Sequence, residues 1–274
     1  MPARLSAAIV TYRPDPRLLN GTLASLANAA TRAIALGEAS SVALTLVDNG
    51  PSESAAVLRE ALAAWPATLG TPAVISGHGN VGYGRANNLA LARAVSDVHL
   101  VLNPDVEVDA DALRAGLAAL RTHPGVGIVA PAVFRPDGAR EYLCKRLPSV
   151  WILFLRGFAP AFLRRRHESE LARYEMRDAI GDAYFEGVPL ASGCFLLART
   201  GLLEDLRGFD PAFFMYFEDF DLSARASRKA AIAYEPAVRI VHHGGDAARK
   251  GLRHIAWFVA SAFKFFSRHG WRWR

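Results

Sequence analysis

The first 130 residues repeat one pattern: a short apolar run, a turn built from Pro, Asp, Asn or Gly, and then a stretch with helical spacing. Residues 5–11 are a strand ended by Arg13-Pro14-Asp15-Pro16, and 18–36 are a helix stopped by Gly37. Residues 42–47 end in Asp48-Asn49-Gly50-Pro51, and 52–64 form the next helix with Ser52 or Ser54 as its N-cap. The series continues with strand 73–76, a glycine-rich loop at 77–84, helix 85–95, strand 98–102, helix 109–121 and strand 126–129. Strands and helices alternating on short connections pack as a doubly wound parallel α/β sheet with right-handed crossovers. Ligands of such sheets sit beyond the carboxyl ends of the strands. That rule gathers residues 11–13, 48–50, 77–84 and 103–105 into one cluster.

The pattern changes near residue 130. Residues 133–138 read as a strand entering a tight turn, and 145–177 are basic and aromatic with no period that assigns them. Strands follow at 190–198, 232–234 and 238–241, with helices at 219–229 and 252–267. The expected organisation is a ligand-binding half at 1–130, a catalytic half of the same domain at 131–250, and a basic amphipathic helix at 251–274. The chain has 32 Lys plus Arg against 26 Asp plus Glu. Seven of the basic residues fall in 249–274, which has no acid, so the body is close to neutral. No apolar run reaches the roughly 18–20 residues that span a bilayer, and the N-terminus lacks a signal-peptide pattern. Two cysteines, Cys144 and Cys194, are too few for a disulfide framework or a Cys-built zinc site. The expected location is cytoplasmic.

The strand ends carry the chemistry. Gly77-His78-Gly79-Asn80-Val81-Gly82-Tyr83-Gly84 opens a helix, where backbone N–H groups and the helix N-terminus suit a phosphate, with Arg85 as an added cation. Gly77-x-Gly79-x-x-Gly82 also fits a dinucleotide fingerprint, although it follows the third strand rather than the first. Asp105, in Asn103-Pro104-Asp105, is either a turn residue or a carboxylate sharing a divalent cation with substrate phosphates. Glu218, Asp219 and Asp221 lie among five aromatics and a Met in 213–221. Apolar surroundings raise a carboxylate's pKa and suit it to general-base work, while one of the three is expected to cap the helix that comes next. His242-His243-Gly244-Gly245, after a strand, is read as a metal or phosphate ligand or as structural.

With these pieces in order the chain resembles the family 2 glycosyltransferases of GT-A fold, in particular their bacterial rhamnosyltransferase-like branch. The matching motifs are Val10-Thr11-Tyr12, Val47-Asp48-Asn49, residues 79–88, Leu102-Asn103-Pro104-Asp105, residues 192–197, Gly208-Phe209-Asp210 through Asp221, and His242-His243-Gly244-Gly245. The resemblance implies that Thr11, Tyr12 and Asp48 hold the nucleoside, and that Asn80, Gly82, Arg85 and Asn88 line the pyrophosphate or sugar. It implies Asp105 and His242 as metal ligands for Mg²⁺ or Mn²⁺, and Asp219 as catalytic base with Glu218 its neighbour. The implied reaction is inverting transfer from a dTDP- or UDP-sugar to a hydroxyl of a glycan or lipid-linked acceptor, in cell-surface polysaccharide synthesis. Asn103 departs from the family, standing where many relatives have a first aspartate, and Asp246-Ala247 departs after the double glycine.

Two rival readings remain at this level: an NAD(P)-type oxidoreductase, from the glycine spacing, and a non-enzymatic basic protein that binds membrane or nucleic acid. The tail bears on the last. Leu252, Ile255, Ala256, Val259, Ala260, Phe263 and Phe266 recur at helical spacing as one apolar stripe, widened by Trp257, Phe258 and Phe265. It is read either as a helix closing the core or as one docking on an anionic bilayer, at the inner face of the membrane. With the transferase motifs in view, nucleic acid is not the expected partner.

Overall fold

A computed structural model describes residues 1–244 and 251–274. Gly245, Asp246, Ala247, Arg249 and Lys250, which figure in the motifs and the basic tail above, lie outside the described residues. The first half follows the expected alternation: β1 (Ala3–Thr11), α1 (Pro16–Ala35), β2 (Ala39–Asp48), α2 (Ser54–Ala63), β3 (Ala73–Ile75), α3 (Tyr83–Leu91) and β4 (Val98–Leu102). Then come β5 (Val106–Val108), α4 (Ala112–Thr122) and β6 (Val126–Phe134). Local chemistry sets the first helix start: Pro16 sits in the first turn, and the Asp15 carboxylate accepts the Arg17 and Leu18 N–H groups at 2.8 and 3.3 Å. By contrast α2 has no side-chain cap, and Ser54 lies inside its first turn.

The second half is built from short pieces. These are β7 (Arg140–Glu141), β8 (Cys144–Lys145), α5 (Val150–Gly157), α6 (Ala161–Arg166), α7 (Glu168–Tyr174), β9 (Phe185–Glu186) and β10 (Leu190–Ala191). They are followed by β11 (Phe195–Arg199), α8 (Thr200–Asp205), α9 (Glu218–Ala226), β12 (Ala231–His242) and α10 (Leu252–His269). The expected strand at 190–198 is thus broken at Ser192-Gly193-Cys194. The two expected strands at 232–234 and 238–241 are one, with its register shifting between Glu235 and Arg239, where Pro236 cannot donate to a ladder.

One sheet runs through both halves in the order β3-β2-β1-β4-β11-β6-β12-β5. The pairs among β1 to β4 are parallel, as is β6 with β12. The sheet becomes mixed where β11 enters antiparallel between β4 and β6, and again where β5 runs antiparallel to β12. Alternate strand residues face opposite layers: Leu5, Ala7 and Ile9 pack under α1, α2 and α4, whereas Ala8 and Val10 pack under α3. The inserted β11 ties the two halves together at the ligand-facing edge, because its start, Phe195, pairs with Leu102 at the carboxyl end of β4.

α10 packs through one edge of the expected stripe, Phe266 with the widening residues Phe258 and Phe265, rather than through its centre. Ser261, Phe265 and Phe266 are buried and Phe258 is half-buried, while Leu252, Ala256, Val259, Ala260 and Phe263 face solvent. The buried face joins Phe213, Phe217 and Leu153 in a separate aromatic core.

Candidate active site

The carboxylate-rich segment is held as a shaped loop before it becomes a helix. Tyr216 and Phe217 both adopt left-handed backbone, φ 67° and 64°, a costly conformation for aromatic residues. α10 over-determines it. Tyr216 Oη is 2.8 Å from His254 Nδ1, Ser261 Oγ donates to the Met215 carbonyl at 2.8 Å, and Lys264 Nζ donates to the Ala212 carbonyl at 2.7 Å. Arg268 pairs with Asp210. The turn ends with Glu218, Asp219 and Asp221 in the first turn of α9, where the helix dipole favours negative charge.

The three carboxylates have three different surroundings. Asp221 is structural: it is buried, and it pairs with Arg225 at 2.7 Å and His269 at 2.9 Å. Glu218 is buried against α3, with Oε2 lacking a hydrogen-bond partner. Burial, and then the neighbouring Asp219, push its pKa up. Asp219 is half-buried; it accepts the Gly193 N–H on Oδ2 at 2.8 Å and the Phe220 N–H on Oδ1 at 2.8 Å. Burial raises its pKa as well, with those backbone donors opposing the rise. None of the three is the N-cap, a position held by Phe217.

Backbone links carry the geometry from Asp219 to the next strand end. Gly193, whose N–H meets Asp219, precedes Cys194, whose carbonyl accepts the Asn103 N–H at 2.9 Å. Asp105 follows two residues later, at the turn into β5. Because Val106 pairs with His242, β5 lays Asp105 beside the His242-His243-Gly244 end of β12, and the His243 N–H donates to the Asp105 carbonyl at 2.9 Å. Asp105 Oδ1 is buried without a hydrogen-bond partner and lies 3.8 Å from His242 Nε2. A Cβ on Gly244 would stand 2.2 Å from Asp105 Oδ2, so only glycine leaves room there. On its other edge His242 Nδ1 lies 3.3 Å from Glu141 Oε2. Glu141 is not among the residues expected from sequence, and nothing local marks it; the β6–β7 pairing brings it in. Among the described residues no three His, Cys, Asp or Glu side chains form a closed metal cage. Asp105 and His242 are two side chains that could hold a cation, with positions left for water and substrate oxygens.

The other expected residues fall at the ends of β1, β2 and α3. Thr11 and Asp48 are neighbours across the β1–β2 ladder, both buried, and Thr11 Oγ1 has no partner. Asp48 Oδ1 accepts the Gly50 N–H at 2.9 Å, and Tyr12 is exposed. Asn49, outside the expected set of site residues, is buried and holds His78 at 3.0 Å and the Gly82 carbonyl at 3.2 Å. The glycine loop is more occupied than a free phosphate cradle. Asn80 Oδ1 takes the Gly82 N–H at 3.1 Å, and the Phe214 carbonyl takes the Tyr83 N–H at 3.1 Å. Gly82 has φ 91°, and a Cβ there would be 2.3 Å from the Phe214 carbonyl oxygen, so this glycine admits the loop that leads to Asp219. Asn88 exchanges two hydrogen bonds with the Phe209 backbone, at 2.7 and 2.8 Å, and Arg85 Nε donates to the Pro211 carbonyl at 2.7 Å. These side chains clip α3 to the segment that ends in Asp219. Both thiols are buried with raised pKa values, Cys144 up to about 12, and are inert.

The architecture is that of the GT-A glycosyltransferases. The chain is similar in fold to a mannosyltransferase from Pyrobaculum calidifontis solved with GDP-Man and Mn²⁺, with a TM-score of 0.61 and 16% identity over 96% of this chain and 65% of that one. It is similar too to residues 1–349 of S. aureus TarS in complex with UDP, at a TM-score of 0.56, 15% identity, 96% of this chain and 65% of that one. The chain belongs to glycosyltransferase family 2, whose family model, described as Glycosyl transferase family 2, matches residues 6–206. It is 28% identical over 284 residues to the N-acetylglucosaminyl-diphospho-decaprenol L-rhamnosyltransferase of Mycobacterium tuberculosis, covering 98% of this chain and 86% of that protein. It is 26% identical over 206 residues to rhamnosyltransferase WbbL of Escherichia coli K12, covering 71% and 73%. The protein is a glycosyltransferase, and the oxidoreductase and non-enzymatic readings fall with that. The family match stops before Asp219, so the role of that residue rests on its geometry.

Proposed function

We propose that the protein transfers a sugar, a deoxyhexose such as rhamnose, from a dTDP- or UDP-linked donor to a hydroxyl of a lipid-linked glycan in cell-surface polysaccharide synthesis. The observation that supports this reading is the hydrogen-bonded path from the Asp219 carboxylate through Gly193 and Cys194 to Asn103, two residues before Asp105. The names of the M. tuberculosis and E. coli relatives support the donor sugar, and the first of them supports the acceptor class.

In this reading Thr11, Tyr12 and Asp48 hold the nucleoside, with Tyr12 the one of the three that is exposed. Asn80, Gly82, Arg85 and Asn88 shape the donor side, chiefly by holding the loop before Asp219 in place. Asp105 and His242 would hold Mg²⁺ or Mn²⁺, and the unpartnered Asp105 Oδ1 fits a cation better than it fits a bare buried carboxylate. When bound, the cation neutralises charge gathering on the departing nucleoside diphosphate. Asp219 accepts the proton of the acceptor hydroxyl as that oxygen attacks the anomeric carbon, giving inversion. Burial beneath α3 raises the Glu218 pKa and favours a single negative charge on the Glu218–Asp219 pair, which in this reading Asp219 carries.

The direct test is turnover across dTDP-, UDP- and GDP-sugars with a prenyl-diphosphate sugar acceptor. Transfer from dTDP-rhamnose with inverted product stereochemistry is expected. Transfer from GDP-mannose alone, or retention, would overturn the donor or the mechanism respectively.

A further inference from the structure

The residues that leave α10 exposed continue onto a second, sequence-distant element. The 270–273 segment folds back along the start of α5: Val150 N–H donates to the Arg272 carbonyl at 2.8 Å and Trp151 N–H to the Trp273 carbonyl at 3.2 Å. The Arg274 guanidinium lies over the Trp151 ring at 5.9 Å, and each side carries its own ring pairs. Phe263 meets Trp271 at 5.4 Å, Trp271 stacks on Trp273 at 5.4 Å, and Trp151 stacks on Phe154 at 5.6 Å. From there α5 and α6 expose Phe158 and Phe162, the latter 73% accessible, while Trp273 is 69% and Leu252 85% accessible. Exposed aromatics on both elements are more than scattered surface hydrophobes.

The charge around them has one sign. Neither 150–166 nor 252–274 contains an Asp or Glu, and Arg164, Arg165, Arg166, Arg272 and Arg274 are all exposed. The acids just after α6 are engaged elsewhere, Glu168 with Arg177 at 2.7 Å and Glu170 with His167 at 2.9 Å.

We propose that α5–α6 and the α10–C-terminal segment together form one docking face for an anionic phospholipid bilayer, with Phe158, Phe162, Phe263 and Trp273 entering the interfacial layer and the arginines meeting headgroup phosphates. Trp and Phe beside Arg is the composition that interfacial binding uses. A second copy of this chain is a poorer occupant, since a two-fold contact would set the Arg164–Arg166 cluster of each copy against a like-charged surface. The face also shares a core with the base loop: Leu153 of α5 and Phe265 of α10 pack with Phe213 and Phe217. Docking therefore holds Asp219 at a set position over the membrane, which matters for a lipid-linked acceptor. Only that last consequence rests on the proposed function; the docking does not.

The test is co-sedimentation of the full chain with vesicles of phosphatidylcholine alone and with 30 mol% phosphatidylglycerol added, alongside Phe158→Ser/Phe162→Ser and Arg164→Glu/Arg165→Glu/Arg166→Glu variants. Wild type is expected to bind the anionic vesicles with a blue shift of Trp emission and to bind neutral ones weakly. Each neutralised arginine is expected to cost about fivefold in partitioning, so the charge-reversed triple variant loses 100-fold or more. The double Phe variant should lose at least tenfold, with its melting temperature and its turnover of a short-chain, water-soluble acceptor kept. Absence of binding to anionic vesicles overturns the proposal. So does wild-type binding by both variants, which would leave the tail acting alone, or tighter binding to nucleic acid or to a second copy than to vesicles. Vesicle binding together with no rhamnosyl transfer would retain this proposal and reject the functional one.

Discussion

Asp219 and Glu218 are adjacent carboxylates whose burial pushes both pKa values upward, and the two titrate as a pair. With Asp219 as the proposed base, kcat is predicted to rise with pH along an acid limb lying above the usual carboxylate range. A pH–rate profile checks this, and a limb near pH 4 would contradict it. Stability runs the opposite way. A folded-state pKa above the unfolded one means that the folded chain holds extra protons, so Glu218 costs stability as pH climbs from the ordinary Glu range. Denaturant melts of Glu218→Gln are predicted to show a shallower fall between pH 5 and pH 8 than wild type. At the other strand end, Glu141 orients the His242 ring so that Nε2 faces Asp105. Glu141→Gln is expected to weaken Mn²⁺ binding about 10–100-fold by titration calorimetry in the presence of nucleotide. Unchanged affinity would remove Glu141 from the site. Asp105 and Asp219 are legible in the sequence because each closes a recognisable turn or aromatic segment. Glu141 is not, because its position depends on a two-residue strand pairing with β6.

Among the strands and helices, those with local signals are legible and those that depend on distant partners are not. β1 to β4 and α1 to α4 carry their own period and turn residues. β5 has three residues and no period of its own; its place comes from pairing with β12, some 130 residues away in sequence, and that pairing sets Asp105 against His242. The run 145–177 resists assignment because α5 is apolar all round, with Leu153 in the Phe213 core, Ile152 and Leu155 in a second cluster with Leu171 and Tyr174, and Phe154 exposed, which erases a helical stripe. In α10 aromatics lie on both faces, so periodicity alone does not separate the buried Phe265 and Phe266 from the exposed Val259 and Phe263. α3 has a testable consequence. Asn88→Ala removes both hydrogen bonds to the Phe209 backbone and is predicted to lower stability by about 1–3 kcal/mol and to lower kcat as the Asp219 loop loosens. Weakened donor binding at unchanged stability would assign Asn88 to the donor instead. β4 offers a pH marker remote from the site. His99 is buried, 2.7 Å from Ser6 Oγ, and burial lowers its pKa to about 4. Because its folded pKa is depressed, stability is fully present above about pH 6.5 and lost as pH falls through 4. His99→Gln should flatten that loss in a pH series of thermal melts.

Across the molecule, one sheet joins the two halves, and α10 closes the assembly by gripping the loop from Asp210 to Asp221 through hydrogen bonds, ion pairs and the Phe217–Phe265 contact. The C-terminal helix is therefore part of what holds the Asp210–Asp221 loop in shape. Deleting 252–274 is predicted to abolish turnover even of a water-soluble acceptor, with the melting transition lowered and broadened, whereas substitutions confined to the outer face of α10 leave that turnover intact. Full activity of the truncated chain on a soluble acceptor would show that the loop holds its shape unaided. The role of Asp219 as the base of an inverting sugar transfer is probed without intermediaries by Asp219→Asn. Turnover and donor affinity should be measured on the same preparation, the first by product formation and the second by calorimetry. The expected outcome is a kcat lower by about 10²–10⁴-fold with the donor dissociation constant within twofold of wild type. A kcat within a few-fold of wild type would show that Asp219 is not the base.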